Sequence, residues 1–196
     1  AMKKRCPGRS LDEIFKTAFA DRLKEARQNF IESLAAYSLV IYFLQVKDRH
    51  NGNLMMDIHG HVIHIDFGFM LSNSPGGNVN FEQSPFKLTQ EFIDIMGDES
   101  SSDFDYFRTL VIKGFLEVRR HVDELILPIR LMLLGPKLPC FREGAEQVLQ
   151  GLRSRLFLDV KEEVCIEKVV ELIDTSVNNW RTIQYDNYQR IVNGIL

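Results

Sequence analysis

The sequence has few cysteines, no long apolar run and no surplus of either charge, and each shortage excludes something. Cys6, Cys140 and Cys165 are the only cysteines in 196 residues, and their spacing fits no zinc site. They read as reduced cytosolic thiols rather than a disulfide framework. No apolar stretch reaches membrane-spanning length, and no secretory leader is visible. Ser38–Val46 is the most apolar stretch, but Tyr42, Gln45 and its shortness make it a buried helix end. The net charge of −3 gives no reason to expect a nucleic-acid partner. Internal repeats and low-complexity tracts are also absent. A hydrophobic content of 45% is enough for a sizeable core in one domain.

The chemistry is concentrated in one stretch. Lys47-Asp48-Arg49-His50-Asn51-Gly52-Asn53 is followed by Asp66-Phe67-Gly68, with Asn53 five residues after Asp48 and Asp66 thirteen after Asn53. Phosphoryl transfer needs these parts: an acidic group near the attacking hydroxyl, an amide oxygen on one metal ion and a carboxylate on both. Protein kinases carry His-Arg-Asp, an Asn five residues on, and Asp-Phe-Gly. Here the tripeptide is reversed while the Asp-to-Asn spacing is kept.

The intervening residues supply a hairpin. Leu54–Asp57 and Val62–Ile65 are short apolar runs joined by Ile58-His59-Gly60-His61, with Gly60 in the turn. Folding back would let Asn53 and Asp66 share a metal. Mg²⁺ takes one or two protein carboxylates and fills its octahedron with water and phosphate oxygens, which one Asp and one Asn satisfy. Either tripeptide alone could be chance; both in order at hairpin spacing is not.

These motifs resemble the phosphatidylinositol 3-/4-kinase family. Val46–Asn53, His64-Ile65-Asp66-Phe67-Gly68-Phe69 and Phe86-Lys87-Leu88-Thr89 are most similar to its type III phosphatidylinositol 4-kinases. Leu138-Pro139-Cys140-Phe141 and Asn193-Gly194-Ile195-Leu196 resemble the beta form, while Ser74–Asn78 is nearer the alpha form. The resemblance is dense from Arg27 to Phe141 and patchy beyond. It implies one piece of a catalytic domain over 1–196, with a catalytic loop at 47–53, an activation segment at 66–89 and C-terminal helices over 104–196. It also implies ATP with Mg²⁺, or Mn²⁺ in its place, and phosphatidylinositol in membranes. The implied location is cytoplasmic and peripheral on membranes, the Golgi among them.

A kinase also needs a small β-rich lobe with a glycine-rich loop and an ATP-binding lysine. Nothing before Asp48 reads as either. Ser10-Leu11-Asp12-Glu13 is a capping box, and Phe30, Leu34, Tyr37, Ile41 and Leu44 recur at helical spacing. Helices are also predicted over Phe86–Met96, Phe104–Val122 and Leu125–Leu134, the last ended by Gly135-Pro136 and Pro139, with two or three more from Ala145 to Leu196. The expected fold is therefore mainly α with a small β-hairpin: the large lobe of a protein-kinase-like domain, without its small lobe as a partner. Such a piece is expected to fold but not to catalyse alone.

Roles follow residue by residue. Asp66 is expected to hold Mg²⁺ against the ATP phosphates, and Asn53 the second ion, unless Asn53 merely caps the loop. Asp48 or His50 would take the proton of the inositol hydroxyl; an imidazole near neutrality suits a base, whereas a carboxylate need only orient the hydroxyl in a loose transition state. The two are not ranked. Arg49 is read as pairing with a carboxylate or activation-segment backbone. Met55 and Ile65 match the family's apolar floor under adenine, or are simply strand residues. His64 reads as a satisfied core histidine, and His59 and His61 as solvated.

The segment Asp66–Phe86 contains no Lys or Arg, Lys87 being the first cation. Extra headgroup phosphates would need cations. Phe67, Gly68, Ser72, Asn73, Ser74, Gly76, Gly77, Asn78 and Asn80 instead suit a neutral inositol ring, without deciding between its 3- and 4-hydroxyls. At the C-terminus Tyr188, Ile191, Val192, Ile195 and Leu196 form a helical apolar stripe, with Trp180 two turns earlier. A bilayer is one occupant; packing on the lobe is preferred, because the polar face is not cation-rich. Three function classes stay open: a lipid kinase lobe, a related Ser/Thr protein kinase, and a non-catalytic binding lobe.

Overall fold

The computed structural model describes residues 6, 8–75, 84–135 and 138–195; the sequence expectations for Gly76, Gly77, Asn78, Asn80, Pro136 and Leu196 lie outside them. The elements run α1 (Leu11–Ala18), α2 (Leu23–Leu44), β1 (Leu54–Met56), β2 (Val62–His64), α3 (Gln90–Met96), α4 (Ser102–Arg120), α5 (Val122–Leu133), α6 (Ala145–Arg155), α7 (Glu162–Ser176) and α8 (Trp180–Asn193). Short 3₁₀ turns occupy Asn51–Asn53 and Pro139–Phe141. Among the described residues the mainly helical expectation holds.

The local signals act as their chemistry dictates. Ser10 caps α1 by accepting from the Glu13 N–H at 3.2 Å, and Glu13 Oε2 accepts from the Ser10 N–H at 3.1 Å. α2 is the central post. Ala26, Phe30, Ile31, Leu34, Ala35 and Ile41 line its buried side, with Phe30 edge-on to Phe15 and Phe92 at 5.8 Å each. α4 lies along α2, and their axes come close at Gly114, where an added Cβ would sit 2.6 Å from Leu39. Phe115 fills the neighbouring space against Phe43, 5.0 Å away.

Two helix starts differ from the sequence expectation. The Phe86–Met96 helix begins only at Gln90. Phe86–Thr89 stays outside the helix, because Leu88 bridges in parallel to Val177 while Phe86 and Lys87 are buried. α5 starts at Val122 and carries Pro128 inside it. The C-terminal stretch holds three helices, α6 to α8.

The hairpin pairs antiparallel, Leu54 with His64, Met55 with Ile63 and Met56 with Val62. It rests on α2, whose polar side chains stitch it down: Arg22 donates to Ile58 O at 2.8 Å, Asn29 to His59 O at 2.9 Å, and Ser33 Oγ accepts from the Val62 N–H at 2.9 Å. His61 is not simply solvated. Its Nδ1 lies 2.9 Å from Asp57 Oδ2. Partial burial opposes the Asp57 charge, but hydrogen bonds from His61 and His59 outweigh it and hold the carboxyl at about 2. Gly60 turns the hairpin at φ +93°, and a Cβ there would meet Ala26 O at 2.6 Å. Gly60→Ala therefore meets both backbone strain and a clash with α2. We expect a loss of about 2–4 kcal/mol in unfolding free energy, checked by urea titration.

Candidate functional site

The site is built where the chain leaves α2. Gln45 ends the helix in the left-handed conformation (φ +49°), and Lys47 N–H then bonds Phe69 O at 2.9 Å. Asp48 (φ +64°) and Asp66 (φ +60°) are left-handed as well. Asp accepts this region better than most residues, so the two aspartates themselves make the turns that place their carboxylates.

Arg49 joins the two strands of the site. Its side chain is buried. Its guanidinium donates to Lys47 O at 2.8 Å, to Ile65 O at 2.9 Å and to Asp66 O. It also lies 5.6 Å over the Phe67 ring. The fixed fork of five donors makes such three-way anchoring possible. These contacts are with backbone around Asp66, one of the two alternatives the sequence left open.

Asn53 is buried. Its Nδ2 donates to Asp48 O at 2.8 Å, and its backbone O accepts from the Ile65 N–H at 3.1 Å. It therefore caps the loop with its amide nitrogen and keeps Oδ1 as an acceptor. The hairpin register thus sets Asn53 beside Ile65–Asp66. An amide oxygen and a carboxylate so placed form a donor set that suits Mg²⁺. Among the described residues there is no cluster of three or more His, Cys, Asp or Glu able to hold a metal. Gly68 N–H bonds Asp66 Oδ1 at 3.2 Å, and a Cβ on Gly68 would crowd that same oxygen at 3.2 Å.

His50 Nε2 lies 3.7 Å from Asp48 Oδ1. Its Nδ1 accepts from the Gly52 N–H at 3.1 Å, which places the proton of the neutral ring on Nε2. Burial pushes the His50 pKa down; Asp48 partly offsets this, and Lys87 and Arg49 add to the lowering. Asp48 Oδ1 also accepts from the Tyr185 hydroxyl.

Met55 and Ile65 are exposed, 54% and 38%, so they are not ordinary buried strand residues. Phe67 is exposed as well, so three apolar side chains are open to solvent on this stretch. Two residues of the expected substrate segment turn inward instead. Ser72 Oγ donates to Cys140 O at 2.8 Å. Lys87 is buried, its Nζ 2.8 Å from Asn51 Oδ1 and 2.6 Å from Asp186 Oδ2.

His64 departs from expectation. It is buried against Tyr37, ring centroids 4.6 Å apart, but Nδ1 has no hydrogen-bond partner among the described residues. Burial first, then the Arg49 and Lys87 charges, lower its pKa to about 3. α8 departs too. Its buried side is polar (Thr182, Tyr185, Gln189), whereas Trp180, Ile183, Tyr188, Ile191 and Val192 face outward. Of that stripe Tyr188, Ile191 and Val192 stay exposed, while Ile195 is half-buried beside Gly52. Reading that stripe hid the polar one: Tyr185, Gln189 and Asn193 recur every fourth residue, and that spacing was the available signal.

Comparison with known proteins places these residues in a family. A family model described as phosphatidylinositol 3- and 4-kinase matches residues 3–141. The chain is 49% identical to a phosphatidylinositol 4-kinase of Dictyostelium discoideum, with 99% of the chain and 17% of the relative covered. It is 51% identical to phosphatidylinositol 4-kinase beta 2 of Arabidopsis thaliana, with 100% and 18% covered. It is 43% identical to phosphatidylinositol 4-kinase beta of Xenopus laevis, with 87% and 21% covered. The chain thus spans about a fifth of the length of these relatives.

The neutral, buried His64 has a consequence for pH. Its folded pKa lies below its unfolded value, so the unfolded chain binds the extra proton. Stability is full above pH ~6.5 and is lost as pH falls toward 3. Chemical unfolding at pH 7, 6, 5 and 4 is expected to show this. Against His64→Phe, the wild-type slope should be steeper by up to about 1.4 kcal/mol per pH unit.

Proposed function

The chain belongs to the phosphatidylinositol 3- and 4-kinase family, and we propose that it carries the catalytic residues of a phosphatidylinositol 4-kinase. The reaction moves the ATP γ-phosphoryl group to the 4-hydroxyl of phosphatidylinositol. The observation that carries this reading is the hairpin register that sets Asn53 beside Asp66 behind the Asp48 loop. The relatives' names favour the 4-kinase over the 3-kinase, protein-kinase and non-catalytic alternatives.

In this reading Asp66 and Asn53 Oδ1 would hold the divalent ions, Mg²⁺ by the hardness of those oxygens. Their chemistry there would be neutralisation of charge on the transferring phosphoryl group. Asp48 orients the lipid hydroxyl and accepts its proton as the new O–P bond forms; the bond to the ADP oxygen breaks and ADP leaves. The Nδ1 contact of His50 supports a donor role for this ring, through Nε2–H, rather than that of base. Arg49 sets the position of both loops without touching substrate. Met55 and Ile65 floor the adenine. The segment following Gly68 reads the headgroup, its lack of cations suiting an inositol ring without extra phosphates.

The outward face of α8 supports membrane contact. Among the described residues no helix is long and apolar enough to cross a membrane. An apolar stripe facing outward can instead lie at a bilayer surface, and we assign it there, on Golgi membranes as the sequence resemblance implies.

Two measurements check these assignments in the full-length kinase. Asp66→Ala should lower turnover on phosphatidylinositol vesicles by about a thousandfold or more, and the wild-type product should be the 4-phosphate; a product carrying only 3-phosphate contradicts the proposal. Trp180→Ser with Ile191→Ser should lower vesicle co-sedimentation about tenfold or more, while turnover on soluble, short-chain lipid stays near wild type.

A further inference from the structure

Helix α8 turns a polar edge, not an apolar one, toward the site. Tyr185 is 9% exposed and Gln189 7%. The Tyr185 hydroxyl donates to Asp48 Oδ1 from 137 residues along the chain. Gln189 Nε2 donates to the Tyr185 oxygen at 2.9 Å, and Asn193 Nδ2 donates to Gln189 Oε1. The order of donors follows from the near end. A carboxylate only accepts, so the phenol proton goes to Asp48 and the phenol oxygen accepts from Gln189 Nε2. That N–H fills an acceptor position on the phenol oxygen and keeps its proton aimed at Asp48. One residue further, Asp186 holds Lys87, and Lys87 holds Asn51. Adjacent residues of one helix turn thus grip the loop on both sides of His50.

Buried polar groups joined in series cost stability unless every member is satisfied, so such a series is retained where it fixes one arrangement. The arrangement fixed here is the orientation of the Asp48 carboxylate. We propose that Tyr185 is a positioning residue for phosphoryl transfer, acting through Asp48, with Gln189 setting the direction of its hydroxyl proton. This rests on the reading of Asp48 as the group that receives the lipid hydroxyl proton. A carboxylate free to rotate spends less time facing that hydroxyl, so loss of the contact lowers kcat without weakening ATP binding.

The test uses the full-length kinase on phosphatidylinositol vesicles, with kcat, KM for ATP and melting temperature measured for each variant. Tyr185→Phe should lower kcat roughly tenfold, with KM for ATP within twofold of wild type and melting little changed. Gln189→Glu places an acceptor where a donor stood and should turn the phenol proton away from Asp48, giving a similar fall. The double variant should fall no further than Tyr185→Phe alone, because both act through one bond. Asp48→Asn separates the two levels. If it keeps wild-type kcat, the role given to Asp48 fails. If it collapses while Tyr185→Phe and Gln189→Glu keep wild-type kcat, the positioning role alone fails. A Tyr185→Phe enzyme that melts far lower but turns over normally per folded molecule also overturns it, since the contact would then serve the fold only.

Discussion

The buried guanidinium of Arg49 is the constraint on which the rest of the site depends. Three carbonyls, those of Lys47, Ile65 and Asp66, converge on it. Two belong to the far side of the hairpin, so the loop bearing Asp48 and the turn bearing Asp66 are held as one body. A charge so deeply buried is costly unless its donors are met, and the carbonyls around it have few other arrangements that would meet them. The left-handed turns at Asp48 and Asp66 leave their carbonyls bonded to Asn53 and Arg49. Asn53 closes the remaining gap by bonding Asp48 O and pairing with Ile65.

Around this unit the lobe supplies support from two directions. α2 holds the hairpin from below through Arg22, Asn29 and Ser33, with Gly60 as the point of closest approach. α8 holds the loop from the side through Tyr185 and Asp186. The inside of α8 being polar leaves its apolar residues outward. In the proposed enzyme this one helix therefore connects a membrane-facing surface with the carboxylate that meets the substrate.

Much of this was legible because it is local. The capping box at Ser10, the hairpin and its Gly60 turn, and the Asp48–Asn53–Asp66 spacing are all written within a few residues of where they act. Family resemblance carries the expected chemistry but not the contacts. The unread features are those whose partners are distant in sequence. Lys87 looked like the first cation of an open segment, yet its partner Asp186 lies 99 residues on. The helix expected from Phe86 starts late because Leu88 is claimed by Val177. His64 sits on a strand where a hydrogen bond was the natural expectation, but it packs on Tyr37 instead. For α8 an apolar stripe was read as the buried face, although the polar one is what the site requires.

One buried fork holds both halves of the site, and Arg49→Lys is the sharpest probe of it. A lysine keeps the charge but presents one ammonium in place of a planar fork, so it cannot satisfy all three carbonyls. Turnover by the full-length kinase should fall about a hundredfold, as small displacements of reacting groups allow, with a lower melting temperature. Wild-type turnover from a stably folded Arg49→Lys enzyme would contradict the account, because Asp48 and Asp66 would then be held in register by something else.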